Sequence, residues 1–332
     1  MSEATRISKR SYAIVGVGAI GGYYGGLLAR AGLDVKFLLR SDYDHVAAHG
    51  LRVESPRGEF HLERVHAYDD PQDMPRCDAA VVCLKTTHLG TLGDVLPRIV
   101  KPGGVVVAMM NGLNVEREIA SILPGHDVLG ALCFVCCHKV GPGHVRHLDY
   151  GRVKLGAYDG DGDDRAMGLT PPVRAIADDF AAAGIDVEAV DDLVRARWQK
   201  LAWNVPFNGL SVALQTTTDR IVAHPASLAL ADALMKEVAA GCAASSGRTI
   251  ETAFLEKMVT DTRAMAPYRT SMLLDYAAGR PLEVEAIFGE PLREAAAGGC
   301  ELPLLRSLDR QLCFLGDERV EAGRAARQAA RN

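Results

Sequence analysis

The spacing of hydrophobic positions changes a little past the midpoint of the chain. Before that point, short apolar runs alternate with helical segments. SYAIV (11–15), DVKFLLR (34–40), DAAVVCLK (78–85), GGVVVAMMNG (103–112) and DVLGALCFV (127–135) read as strands. The unbroken apolar character of DAAVVCLK fits a strand buried on both faces of a parallel sheet. GGYYGGLLARAG (21–32) reads as a helix closed by Gly32, and LRVESPRGEFHLE (51–63) as a hairpin around Pro56-Arg57-Gly58. HVRHLDYGRVKLGAY (144–158) reads as a further antiparallel pair. After the polar loop DGDGDD (159–164) come a helix over 171–184 and a last short strand, IDVEAV (185–190). From Asp191 onward only helical periodicity is left, with helices predicted at 191–205, 225–246, 251–260, 283–297 and 302–315. The expectation is an α/β protein: a doubly wound sheet in residues 1–190 and an all-helical domain in 191–332.

Composition narrows the function classes. A chain of 332 residues is long for one core and suits two domains. The net charge of -5 and the scattered Lys and Arg residues argue against a polyanion partner, and the basic tail from Arg319 to Arg331 reads as a solvated helix end. The eight cysteines are dispersed, most of them in apolar surroundings, as expected of reduced thiols in the cytoplasm. Cys133 and Cys136 have C-x-x-C spacing, but the intervening Phe134 and Val135 read as strand, and neither a second cysteine pair nor a clear His partner completes a zinc set. No metal site is expected. Arg6, Lys9 and Arg10 precede an apolar run that Gly16, Gly18, Gly21 and Gly22 interrupt, which does not fit a secretion signal. No apolar stretch reaches the roughly 18–20 residues needed to span a bilayer. Tyr23, Tyr24, His138 and His147 are read as packing or surface residues.

The first chemical motif is Gly16-Val17-Gly18-Ala19-Ile20-Gly21, directly after a strand and opening a helix. In that context Gly16 permits the tight turn, Gly18 lets the backbone approach a diphosphate, and Gly21 lets helix and strand pack closely; the helix N-terminus offers free N–H groups to phosphate. A Rossmann-type dinucleotide site follows. The second strand ends in Arg40, where an NAD site would usually carry an acid, so the expected cofactor is NADPH, with the guanidinium on its 2′-phosphate. Lys85 ends the third apolar strand and is expected near the 2′-phosphate or ribose. Asn111 ends the next strand at the same sheet edge; it either holds a substrate carbonyl or catalytic side chain, or simply forms an Asn-Gly turn.

The second motif is RWQKLAWNVPFN (197–208). Lys200, Asn204 and Asn208 are four apart and fall on one helical face, between apolar residues that mark a packed element. Unpaired ammonium and amide groups do not belong in an apolar core. The face either lines a polar cleft, or Lys200 extends its stem to solvent from a helix edge.

GVGAIGG, FLLR, CLK, MNG and RWQKLAWN, followed by TSM and LEVEAIFGEPL, resemble the ketopantoate reductases (2-dehydropantoate 2-reductases) over about residues 12–316. The resemblance implies NADPH-dependent reduction of a 2-keto acid by a Rossmann domain and a helical domain, with the active site in the cleft between them. It implies that Lys200 is the catalytic general acid, that Glu283 supports it, and that Asn111, Lys85 and Arg40 occupy cofactor and active-site positions. Asn204 and Asn208 match substrate amides, and Ser271 matches the serine that binds the substrate carboxylate. Two positions depart from the pattern: Thr218 stands where a third substrate asparagine is expected, and Pro206 interrupts the segment between the two amides. The substrate side chain is therefore open. A related reductase or dehydrogenase of another 2-keto or hydroxy acid is one alternative, and a non-catalytic NADP(H)-binding redox sensor is another. A homodimer is the base-rate expectation for assembly.

Overall fold

Residues 9–160, 162 and 164–329 are described by the computed structural model of the chain, with side chains described up to residue 321. Arg6, Asp161, Asp163 and Arg331 lie outside the described residues, as do the side chains of the basic tail after 321. The chain forms two compact units. One comprises the chain up to Met110 together with Val115–Leu193; the other comprises Asn111–Asn114 and the chain from Val194.

The first unit is a Rossmann fold. Its elements are β1 (Ser11–Val15), α1 (Ala19–Arg30), β2 (Asp34–Leu38), α2 (Tyr43–His49), β3 (Leu51–Glu54), β4 (Phe60–Leu62), β5 (His66–Tyr68), β6 (Cys77–Val82), α3 (Leu92–Ile99), β7 (Val100–Ala108), α4 (Val115–Ile122), β8 (Asp127–Gly141), β9 (His144–Ala157), α5 (Pro171–Ala182) and β10 (Val187–Ala189). The strand order is β4-β3-β9-β8-β7-β6-β1-β2-β5, with β10 beside β9. The run from β8 to β5 is parallel throughout, and β9 is antiparallel to β8. Alternation along β1 supplies both faces: Tyr12 and Ile14 pack with Tyr24, Leu28 and Phe180, while Ala13 and Val15 pack with Leu92, Leu96 and Ile119. Asp179 of α5 accepts hydrogen bonds on Oδ2 from Arg10 and from the Tyr12 hydroxyl (2.5 Å), which tie α5 to β1.

One expectation fails here. Residues 144–157 form a single strand, β9, that pairs along its length with β8, and β8 itself extends to Gly141. The Tyr150-Gly151 step is not a hairpin turn. Both residues have positive φ (61° and 120°), and the register slips opposite Phe134/Val135, so the glycine is absorbed as a bulge within a continuing ladder. The short β5, paired with β2, carries too little pattern to be foreseen.

The second unit is helical: α6 (Leu193–Ala213), α7 (Thr218–Ala223), α8 (Pro225–Ser246), α9 (Thr252–Ala264), α10 (Ser271–Ala277), α11 (Glu290–Ala297) and α12 (Pro303–Ala329), with a π-helical turn over Glu285–Gly289 leading into α11. Local signals set several ends. Pro225 starts α8, Gly247 (φ 67°) ends it in the left-handed region, and the Thr270 hydroxyl caps α10 by accepting from the Leu273 N–H (3.2 Å). The helix expected to stop at 205 instead continues through Pro206 to Ala213. Proline removes one backbone bond, but Val205, Phe207, Leu210 and Val212 are all almost fully buried, and this packing outweighs the lost bond. Among the described residues no helix is long and apolar enough to cross a membrane.

Candidate active site

In the first unit the candidate residues gather beyond the carboxyl ends of β1, β2 and β6. Gly16 has φ 91°, and a Cβ there would lie 2.6 Å from Leu84 Cδ2. A Cβ on Gly21 would lie 2.2 Å from the Gly16 carbonyl oxygen, so the turn can close on the helix only without one. Gly18 caps α1, and a Cβ built on it meets nothing within 4 Å. The first turn of α1, which includes Ala19 and Ile20, carries no acidic side chain, so its N–H groups and the positive end of the helix dipole are not opposed by local charge. Open space at Gly18 beside a tightly closed turn fits a diphosphate. Arg40 is exposed just past β2, and Lys85 is half-buried just past β6.

In the second unit, α6 carries Lys200, Asn204 and Asn208 at 8%, 5% and 3% exposure. Lys200 is thus buried rather than extended to solvent. The helix is held closely: a Cβ on Gly209 would lie 2.6 Å from Leu308 and 3.1 Å from Phe288 of the π-turn. Trp203 Nε1 donates to Thr262 Oγ1 (3.0 Å), and the hydroxyls of Ser211 and Thr270, both fully buried, share a 2.7 Å hydrogen bond that ties α6 to the cap of α10. Among the described residues, the buried side-chain atoms of this unit without a hydrogen-bond partner include Asn204 Nδ2 and Thr218 Oγ1, together with Asp219 Oδ1 and Ser245 Oγ. An unmet buried polar group costs about 1–3 kcal/mol, and a bound polar molecule would recover that cost. Ser271, the first residue of α10, is exposed.

Glu283 is buried and lies just before the π-turn, and its carbonyl accepts from the Ile287 N–H (3.2 Å). π-turns within helices recur at functional sites because they shift one residue out of helical register. The half-buried Asn111 belongs to the same unit, and two residues on, the Leu113 N–H donates to the carbonyl of Ala286 within the turn (2.9 Å). The structure therefore brings the Asn111 loop, the Glu283 segment and α6 together in one unit. Sequence reasoning missed how this loop is fixed, including Asn114, and it missed the Ser211–Thr270 pair. Asn114 has φ 62°, and an asparagine two residues past Gly112, of the residue type that tolerates the left-handed region, is the local signal that could have flagged it.

Comparison with known proteins agrees with this architecture. Residues 12–160 match the family model for ketopantoate reductase PanE/ApbA, and residues 192–312 match its C-terminal counterpart. A 2-dehydropantoate 2-reductase of Nostoc sp. is 50% identical over 309 residues, covering 93% of this chain and 96% of the relative. The crystal structure of 2-dehydropantoate 2-reductase from Geobacter metallireducens aligns with a TM-score of 0.86 at 38% identity, covering 93% of this chain and 99% of the other. That of the Methylococcus capsulatus protein aligns at 0.83 and 32%, covering 93% and 97%. These matches place the chain among the Rossmann-type oxidoreductases that carry a helical C-terminal half. Within that class, it belongs to the ketopantoate reductase PanE/ApbA family, and the matches span both of its units.

Proposed function

We propose that the chain reduces 2-dehydropantoate to pantoate with NADPH, the Rossmann unit holding the cofactor and the helical unit holding the keto acid and the proton donor. The observation that carries this reading is the polar face of α6: an ammonium and two amides are buried at four-residue spacing, and Asn204 Nδ2 and Thr218 Oγ1 are left for a ligand to satisfy. NADPH, when bound, supplies the hydride that reaches the keto carbon. Lys200 holds the proton that the carbonyl oxygen takes up, and its positive charge stabilises the negative charge developing there. Burial strengthens that interaction because few waters are left to screen it. Glu283 favours the charged form of Lys200, and Asn111 orients Lys200 or the carbonyl. Asn204, Asn208 and Thr218 bind the hydroxyl side of the substrate, and Ser271 its carboxylate. Gly16, Gly18, Ala19, Ile20 and Gly21 receive the diphosphate, and Arg40 and Lys85 the 2′-phosphate and ribose. The same reading takes the enzyme as cytoplasmic, in keeping with the lack of any disulfide among the described cysteines, and as a homodimer.

Steady-state kinetics with a panel of 2-keto acids, alongside NADPH fluorescence titration, tests the proposal. Lys200→Ala is expected to lower kcat by about 10²–10⁴-fold while NADPH affinity stays nearly constant. A fully active variant removes Lys200 from the mechanism. A wild-type protein that binds NADPH but consumes it with no keto acid removes the enzymatic reading altogether.

A further inference from the structure

The loop Asn111–Asn114 leaves β7 yet belongs to the helical unit. Its backbone is pressed against the π-turn: Gly112 has φ 95°, and a Cβ there would lie 2.5 Å from Ala286 Cβ and 2.8 Å from the Ala286 carbonyl oxygen. Asn114 then uses both N–H bonds of its side-chain amide. Nδ2 donates to Glu290 Oε2 (2.9 Å) and to Glu294 Oε1 (2.6 Å). The other oxygen of Glu290 accepts from Arg293 (2.6 Å), which also pairs with Glu285 at the start of the π-turn. Glu290 and Glu294 are four residues apart on α11, a like-charge spacing that weakens an isolated helix. A donor bridging them, with Arg293 on Glu290, offsets part of that cost, and hydrogen bonds to carboxylates are the strong kind. The acids therefore make physical sense as the anchor for the loop. Asn111 is three residues from this anchor, and each residue reaches at most about 3.5 Å, so fixing Asn114 restricts where Asn111 can go.

We propose that Asn114 is a positioning residue for the reduction: clamped between Glu290 and Glu294, it sets Asn111 against the Glu283 segment, so that the amide needed for chemistry is carried by the helical unit. The inference rests on the reading of Asn111 as part of the catalytic set. Asn114→Gly is informative because glycine accepts the positive φ while the clamping amide is lost, and Glu294→Ala breaks the same clamp without loosening the loop backbone. Its kcat is expected to fall about ten- to a hundredfold, as small misplacements at a reaction centre do, while KM for NADPH changes by less than about twofold. Combined with Asn111→Ala, it is expected to add almost no further loss, because both changes remove the same positioned group. Glu294→Ala provides a second route to the same clamp, and is expected to show a smaller kcat loss with the same non-additivity; it carries the test alone if Asn114→Gly does not fold. Unchanged kcat with a lowered Tm, or losses that multiply in full with that of Asn111→Ala, would overturn the inference by leaving Asn114 a purely structural role. Failure of the parent reading looks different: there the wild type turns over no keto acid and Asn111→Ala has no effect.

Discussion

Gly18 and Gly21 lie three residues apart in one turn, and an added methyl group should act oppositely at the two. At Gly21 the new carbon would lie 2.2 Å from the Gly16 carbonyl oxygen and 3.1 Å from both Cys83 Cβ and Ile14 Cγ2. Ordinary contact begins near 3.4 Å, and the closest obstacle is backbone. The turn must move by more than an ångström, or α1 must lift from β1. Overpacking of this kind costs about 1–3 kcal/mol, and at about 2–4 °C per kcal/mol Gly21→Ala should lower Tm by roughly 2–12 °C. At Gly18 the methyl group would meet no protein atom within 4 Å. Alanine is a poorer helix cap than glycine but also restricts the unfolded chain, and these effects of about 0.5–1 kcal/mol oppose each other. Gly18→Ala should therefore keep its Tm within a degree or two, but the methyl group fills the space assigned to the diphosphate. Its NADPH Kd should rise by about tenfold or more, the equivalent of one lost charge-assisted hydrogen bond. Thermal melts without cofactor and fluorescence titration with NADPH separate the two effects. If Gly18→Ala bound NADPH normally, or if Gly21→Ala melted with the wild type, the steric account of this turn would be wrong.

Two further outcomes are expected. Arg40→Ala should raise KM for NADPH by about tenfold, the low end for an exposed charged partner, and leave KM for NADH unchanged; equal changes for both cofactors would detach Arg40 from the 2′-phosphate. His147 is buried and stacked on Tyr23; its Nε2–H donates to the carbonyls of Asp149 (2.9 Å) and Tyr150 (3.1 Å), and Nδ1 accepts from Ser55 Oγ (2.8 Å). Desolvation holds its pKa below the ordinary 6.5 despite the two carbonyls, so the fold favours the neutral ring. The stability this provides is complete above pH 6.5 and is lost as pH falls toward the lowered value, because the unfolded chain then binds the proton first. Tm should therefore decline as pH falls below about 6.5, and His147→Gln should flatten part of that decline; an unchanged slope would assign it to other groups.

Where a feature depends on neighbours in the chain, it was legible from the sequence. The glycine turn follows from the φ that Gly16 must adopt and from the strand before it, and α8 runs over the predicted 225–246 because Pro225 and Gly247 mark its ends chemically. The four-residue spacing of Lys200, Asn204 and Asn208 also survived, since it needs only a helix. Tertiary structure decided the rest. Whether Tyr150-Gly151 would turn the chain back or bulge within a strand depended on β8 continuing beside it, because the ladder pairs on both sides of the step hold Tyr150 at its positive φ. Whether α6 would stop at Pro206 depended on the apolar side chains packed around it, whose burial exceeds the value of one backbone bond. The assignment of Asn111–Asn114 to the helical unit depended on Ala286, Glu290 and Glu294, more than 170 residues away in sequence, and no local pattern can encode a contact with partners so distant along the chain.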